Sequence, residues 1–163
     1  MFHQASASLA IFQGLSPEQI GAMSPFLEDI KLRKGYVVFS QGQSAQYLYI
    51  LVGGEVQVRY KPYDGPALTV AHILPGDVFG WSSALGREVY TSSAEVVHSG
   101  AAYRILTGNL QHLCDSNPEA GNLLLERLAG VIAERLRNTH SSILALLSEN
   151  VERKGGGAKG NAA

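Results

Sequence analysis

Between residues 35 and 107 a glycine recurs about every ten positions, at 35, 42, 53, 54, 65, 76, 80, 86 and 100. The intervening runs, 36–39, 47–52, 56–60, 67–74, 92–97 and 101–106, are short and rich in β-branched and aromatic residues. Several alternate with period two, as Val56, Val58 and Tyr60 do against Gln57 and Arg59. In a strand that alternation puts the apolar set on one face. Short strands at regular spacing, closed by Gly and Pro turns, specify a sandwich, jelly roll or barrel. Asp64-Gly65, between Pro62 and Pro66, marks a lengthened hairpin turn.

The flanks have a different period. Ser16-Pro17-Glu18-Gln19 is a capping-box start with Pro at the first helical position, so residues 1–34 are expected to be helical. Thr107 is expected to cap a short helix reaching Cys114. Ser116-Asn117-Pro118-Glu119 is expected to form a second capping box and open a much longer helix. Apolar residues at 124, 128, 131, 132, 136, 143 and 147 recur along it at helical spacing. The helix is expected to end near Val151. The Gly- and Ala-rich residues 153–163 then form a disordered tail.

The expected fold is therefore mainly β with flanking helices: a β-roll or jelly roll of about eight strands, N-terminal helices and a long C-terminal helix. It divides into residues 1–34, 35–107, 108–152 and 153–163, one domain overall. The leucine stripe admits two compatible readings. Residues 123–125 pack as core on the chain's own barrel, and the seam at 128, 132, 136, 143 and 147 pairs with a second copy. A homodimer through residues 124–150 is expected.

Length and charge narrow the function. A chain of 163 residues suits one domain that hides roughly 70% of its unfolded surface. Thirteen Lys and Arg against fourteen Asp and Glu give a net charge of −1, which is no footprint for nucleic acid. Apolar runs such as Ile50-Leu51-Val52 fall far short of the roughly 20 residues of a membrane span. Residues 1–15 contain no Lys or Arg, so no secretory signal is expected. A cytoplasmic protein free of membrane is the expectation.

Cys114 is the only cysteine, which excludes an internal disulfide and a zinc cluster. His72, His98, His112 and His140 stand without a His-x-His pair, and Gly-x-Ser-x-Gly is absent. Neither a metal-dependent jelly-roll enzyme nor a nucleophilic one is indicated. No enzyme, no metal and no cofactor are expected.

The segment with most chemistry is Leu74-Pro75-Gly76-Asp77-Val78-Phe79-Gly80-Trp81-Ser82-Ser83-Ala84-Leu85, followed by Tyr90-Thr91-Ser92-Ser93-Ala94-Glu95-Val96. It reads as a strand, a tight turn, and a glycine at 80 where backbone comes close to a neighbour. A short helical turn is expected from Ser82 or Ser83, with N–H groups pointing outward unsatisfied. Hydroxyls at 82, 83, 91, 92 and 93 leave room for a ligand and supply donors. Phosphate or carboxylate binding is the chemistry such a loop favours.

These residues resemble the cyclic-nucleotide-binding domain family over roughly 10–150. The resemblance rests on Gly42, on Tyr49-Ile50 followed by Gly54-Glu55-Val56-Gln57-Val58, on Pro75-Gly76-Asp77-x-Phe79-Gly80, and on Ser93-Ala94-x-Val96. It implies a phosphate-binding cassette over 79–94. There Gly80, Trp81, Ser82, Ser83 and Ala84 face Ser92, Ser93 and Ala94 around a ligand such as cAMP or another cyclic nucleotide. The family places a Glu where Trp81 stands, for the ribose hydroxyl, and an Arg where Ser92 aligns, for the phosphate. Loss of both together resembles a small bacterial subgroup and implies a changed or abandoned ligand.

The resemblance leaves several roles open. Arg87 either swings toward the anion or is a solvated loop arginine paired with Glu88. Trp81 either offers a flat face for stacking or folds over the barrel mouth and fills it. Thr139, within Arg135-Leu136-Arg137-Asn138-Thr139-His140-Ser141, aligns with a purine-reading hydroxyl or faces solvent. Activator-type relatives continue into a helix-turn-helix where this chain has its Gly-rich tail, so direct DNA binding is not expected. The expected function is a ligand sensor that signals through its C-terminal helix to an effector protein. The alternative is a ligand-free dimerising interaction module of the same fold.

Overall fold

The computed structural model describes residues 8–155, except for the side chains of 139, 142, 143, 146 and 150–155. A 3₁₀ turn at Ala10–Phe12 precedes α1 (Pro17–Met23) and a second 3₁₀ turn at Ser24–Phe26. Then follow β1 (Glu28–Leu32), β2 (Val37–Phe39), β3 (Tyr47–Tyr60), β4 (Leu68–Ile73), β5 (Val78–Phe79) and β6 (Ser93–Leu106). Two helices close the chain, α2 (Thr107–Ser116) and α3 (Pro118–Gly155). The expected mainly-β fold with flanking helices is present. Two compact units divide within α3, at residues 1–128 and 129–163.

The described residues hold six strands, where about eight were expected. Two pairs of expected strands run together: 47–52 with 56–60 as β3, and 92–97 with 101–106 as β6. The glycines between them are not turns. A Cβ on Gly100 would run into the carbonyl of Gly53, and one on Gly54 into the carbonyl oxygen of His98. The two strands cross here backbone to backbone, and their register shifts at Leu51, Gly53 and Glu55. Such irregularities bend a strand without ending it.

The bend lets each long strand serve two further neighbours besides the other. In β3, Tyr49 and Ile50 pair with β5, while Val56 to Tyr60 pair with β4. In β6, residues 100–104 pair with β1, and Ala94 and Glu95 with β2. All pairings are antiparallel, in the order β1-β6-β3-β4 with β2 on β6 and β5 on β3. One face of the resulting roll buries Leu32, Phe39, Tyr49, Leu51, Val56, Ile73, Phe79, Tyr90, Ala94, Val96 and Ala102 as a single cluster. On the other face of β6, Tyr103 receives the edge of Phe12, with centroids 6.2 Å apart.

The flanks depart from expectation in particular places. β1 lies inside the segment expected to be helical. Glu28-Asp29-Ile30-Lys31-Leu32 alternates polar and apolar residues, and Ile30 and Leu32 pair opposite Ala102 and Gly100. The Ser16 capping box forms as expected, Ser16 Oγ accepting Gln19 N–H at 3.1 Å and Gln19 Oε1 accepting Ser16 N–H at 2.8 Å. Thr107 is not the cap of α2 but its first residue, its hydroxyl donating to Gln46 O at 3.0 Å. Ser116 does not cap α3 either: its hydroxyl donates to Leu113 O, and Asn117 Oδ1 accepts Ala120 N–H at 3.0 Å. Asn117, non-helical at φ −142° and directly before Pro118, is therefore the cap of α3.

On α3, Leu124 and Leu128 are buried and Leu125 is exposed, which corrects the reading of 123–125 as continuous core and removes Leu128 from an exposed seam. The helix runs through Gly155, past the end expected near Val151. Residues 156–163 of the expected tail lie outside the described residues. Among the described residues, no helix is long and apolar enough to cross a membrane.

Candidate functional site

The loop between β5 and β6 is built against an aromatic layer. Tyr49 and Phe79 pair across β3 and β5 and stack with centroids 5.0 Å apart. Phe39 of β2 stacks on Tyr49 at 5.6 Å and on Tyr90 at 3.8 Å. Each such pair adds about 0.5–1.5 kcal/mol beyond area burial. Burial pushes the phenols of Tyr49 and Tyr90 up from their ordinary range, so both stay neutral at physiological pH.

Gly80 leaves this layer with φ +72°, and a Cβ there would stand 2.8 Å from the Tyr49 ring and 3.1 Å from both Phe39 and Tyr47 O. Only glycine meets both the left-handed angle and the close approach. Residues 81–86 then turn, but not as the expected helix. Leu85 N–H donates to Trp81 O at 3.2 Å, Gly86 N–H to Ser83 O at 3.3 Å and Arg87 N–H to Ser82 O at 3.1 Å. The bonds span four, three and five residues. A regular ladder cannot extend in six residues bounded by left-handed Gly80 and Gly86 (φ +74°). The N–H groups of Ser82, Ser83 and Ala84 have no acceptor among the described residues.

The exit limb is held by the segment after β2. Gly42 N–H donates to Tyr90 O, Tyr90 N–H to Gln43 O and Ala45 N–H to Glu88 O, all at 2.8–2.9 Å. Ser82 Oγ lies 3.3 Å from Thr91 Oγ1, closing the two limbs on each other. Ser83 is 4% exposed, and its hydroxyl donates back to Gly80 O at 3.1 Å. That hydrogen is thereby committed within the loop. Ser93 Oγ instead accepts Gln41 N–H at 2.8 Å, which leaves its own hydrogen to donate.

The other expected residues fall as follows. Trp81 and Ser92 are half-buried, Ala84 and Arg87 are exposed, and Ala94 is fully buried beneath the sheet. Trp81 stacks on no aromatic ring among the described residues. Arg87 forms no ion pair among them, with Glu88 or any other acid. Thr139 lies on α3 with its side chain outside the described residues. No cluster of His, Cys, Asp and Glu able to hold a metal occurs among the described residues.

Sequence reasoning missed the support of this loop. Gln41 clamps Lys61 from both sides, accepting its N–H at 2.9 Å and donating to its carbonyl at 3.0 Å. Phe39 was legible as a strand residue and Tyr90 as part of the cassette run, but not as a stacked pair, since 50 intervening residues carry no signal of their contact. The only local hint was Gln41-Gly42, a turn-type dipeptide directly after a β run.

Comparison with known proteins bears on the family and the fold. A family profile described as Cyclic nucleotide-binding domain matches residues 29–117. A CRP-like cAMP-activated global transcriptional regulator of Mycobacterium tuberculosis is 30% identical over 145 residues, covering 89% of this chain and 63% of that protein. The chain thus spans 63% of that relative's length. The Thermus thermophilus catabolite activator protein superposes with TM-score 0.69 at 28% identity, over 85% of this chain and 62% of that one. A cyclic nucleotide-binding domain from Methylobacillus flagellatus superposes with TM-score 0.77 over 88% of this chain and 81% of that one, and at 19% identity it speaks for the fold alone.

Proposed function

The chain belongs to the cyclic-nucleotide-binding domain family, and from that premise we propose that it is a regulatory sensor for a small anionic ligand, cAMP or another cyclic nucleotide. The ligand sits on Gly80, Trp81, Ser82, Ser83 and Ala84, with Ser92 and Ser93 on the other limb, Ala94 being buried in the core, and its signal leaves through the C-terminal helix to an effector protein. The observation that carries this reading is the row of N–H groups at 82–84, without acceptors among the described residues beside the left-handed Gly80. Successive amides without acceptors can form an anion cradle without any cationic side chain. The spare hydrogen of Ser93 adds a donor, and exposed Arg87, without an ion pair among the described residues, is a cation within the same loop.

Trp81 and Ser92 stand where the family pattern has Glu and Arg. A charge-assisted Arg–phosphate bond contributes about 1.5–3 kcal/mol, so affinity is expected roughly tenfold to a hundredfold weaker than with that Arg. Calorimetric titration with cAMP, cGMP and cyclic dinucleotides at two salt concentrations tests the reading. Saturable binding that weakens with salt supports it. Absence of both heat and thermal stabilisation at millimolar ligand overturns it.

A second reading has its own support in residues 129–155. Leu136, Leu144 and Leu147 are 54%, 51% and 57% exposed, and at 100° per residue they share an arc of about 80° on one side of α3. An apolar stripe of that kind fits a second copy of the same helix. In this reading the protein is a ligand-free dimerising interaction module of the same fold.

A further inference from the structure

We propose that a recess at the edge between β1 and β2 binds a small amphipathic organic anion, of the class of aryl phosphates and aryl carboxylates. The recess has a volume of about 370 Å³ and is lined by Ile30, Lys31, Arg33, Tyr36, Val38 and Arg104. None of these belongs to the loop at 80–94, so the site stands or falls independently of the sensor reading. Its volume lies at the small end of the range for ligand pockets, about 300–1,000 Å³.

Three cations and, among the described residues, no carboxylate line the recess. Glu28 of β1 balances one of them, Arg104, so the excess positive charge rests on Lys31 and Arg33. Glu28 Oε2 lies 2.7 Å from both Nε and Nη2 of Arg104. Lys31 and Arg33 form no ion pair among the described residues.

Arg104 is fixed in place. Its guanidinium carbon lies 4.4 Å from the centre of the Tyr47 ring, and its two contacts with Glu28 leave three of five N–H donors. The remaining wall is apolar: Ile30 and Val38 pack partly against the core cluster, and Tyr36 stands at the rim with 55% of its surface exposed. A bare phosphate satisfies only the cations and a phenol only the wall. A ligand joining both chemistries satisfies the whole recess.

The test is an NMR titration of the full chain with phenyl phosphate, with inorganic phosphate and phenol as controls. Saturable shifts are expected at residues 30–38 and 104, with both controls about tenfold weaker or more. The Lys31→Gln/Arg33→Gln variant is expected to weaken phenyl phosphate about tenfold with an unchanged melting temperature, since both side chains are exposed. Arg33→Gln alone replaces it if the double variant does not fold. Lack of saturation at millimolar ligand, equal binding of all three probes, shifts confined to 80–94, or full affinity in the variant would each overturn the proposal.

Discussion

The rings of Phe39 and Tyr90 stack with centroids 3.8 Å apart and planes 16° from parallel, locking the end of β2 onto the exit of the 80–90 loop. The same Tyr90 hydroxyl donates to Tyr47 O at 2.8 Å and accepts Tyr47 N–H at 3.1 Å. One side chain thus ties the loop to β2 by its ring and to β3 by its oxygen. Tyr90→Phe keeps the stack and strands both Tyr47 groups, at about 1–3 kcal/mol. Tyr90→Ala also removes the ring and is expected to lose about 3–5 kcal/mol. Urea unfolding of both variants measures the difference; equal losses would mean that the stack contributes nothing.

At the crossing of β3 and β6, two neighbouring glycines should respond very differently to a side chain. A Cβ on Gly100 collides with the Gly53 backbone, which has no flexible end to move aside, while one on Gly53 meets nothing within 4 Å. Gly100→Ala is expected to cost more than about 4 kcal/mol, and Gly53→Ala less than about 1 kcal/mol. Thermal melts of the two variants decide it, and similar melting temperatures would disprove the close crossing.

Glu55 joins three strands, its two oxygens each 2.9 Å from Nδ1 of His72 on β4 and of His98 on β6. An ionised carboxylate only accepts, so both rings donate from Nδ1. These hydrogen bonds, His72 first, hold the Glu55 carboxyl below its ordinary value of 4.5. A lowered folded value means that the stabilisation is present above the ordinary carboxylate range and fades as pH falls through the folded value. The advantage of the native protein over Glu55→Gln should therefore be full at neutral pH and vanish in acid. Urea midpoints at neutral and acidic pH test this, and a gap that persists in acid would exclude the carboxylate charge as its source.

The exposed stripe on α3 predicts self-association. Sedimentation should give twice the 17.4 kDa chain mass, and Leu136→Glu/Leu147→Glu should give a monomer, since a charge cannot be buried unpaired in an apolar seam. A monomeric native protein would leave the stripe for another partner.

Cassette chemistry gives a gain-of-function prediction. Trp81→Glu with Ser92→Arg is expected to raise cAMP affinity about tenfold to a hundredfold, measured by calorimetry. A folded double variant that still ignores cAMP and cGMP would place the obstacle in the shape of the pocket.

The amino-acid sequence by itself determined the mainly β fold, the Ser16 cap, the long C-terminal helix and the position of the 80–94 loop. Each is written in short-range terms: period two or 3.6, a capping residue three positions from its partner, a glycine at a turn. Only the tertiary structure decided that Gly53-Gly54 and Gly100 bend two long strands rather than divide four short ones, because their role is a contact between backbones far apart in the sequence, as Gly53 and Gly100 are. It likewise decided that the Ser83 hydroxyl is committed to Gly80 O while that of Ser93 keeps its hydrogen. Glu28 meeting Arg104, 76 residues on, and Glu55 meeting two histidines follow from strand register. Register is an agreement between distant segments, settled when the faces of the roll are buried together.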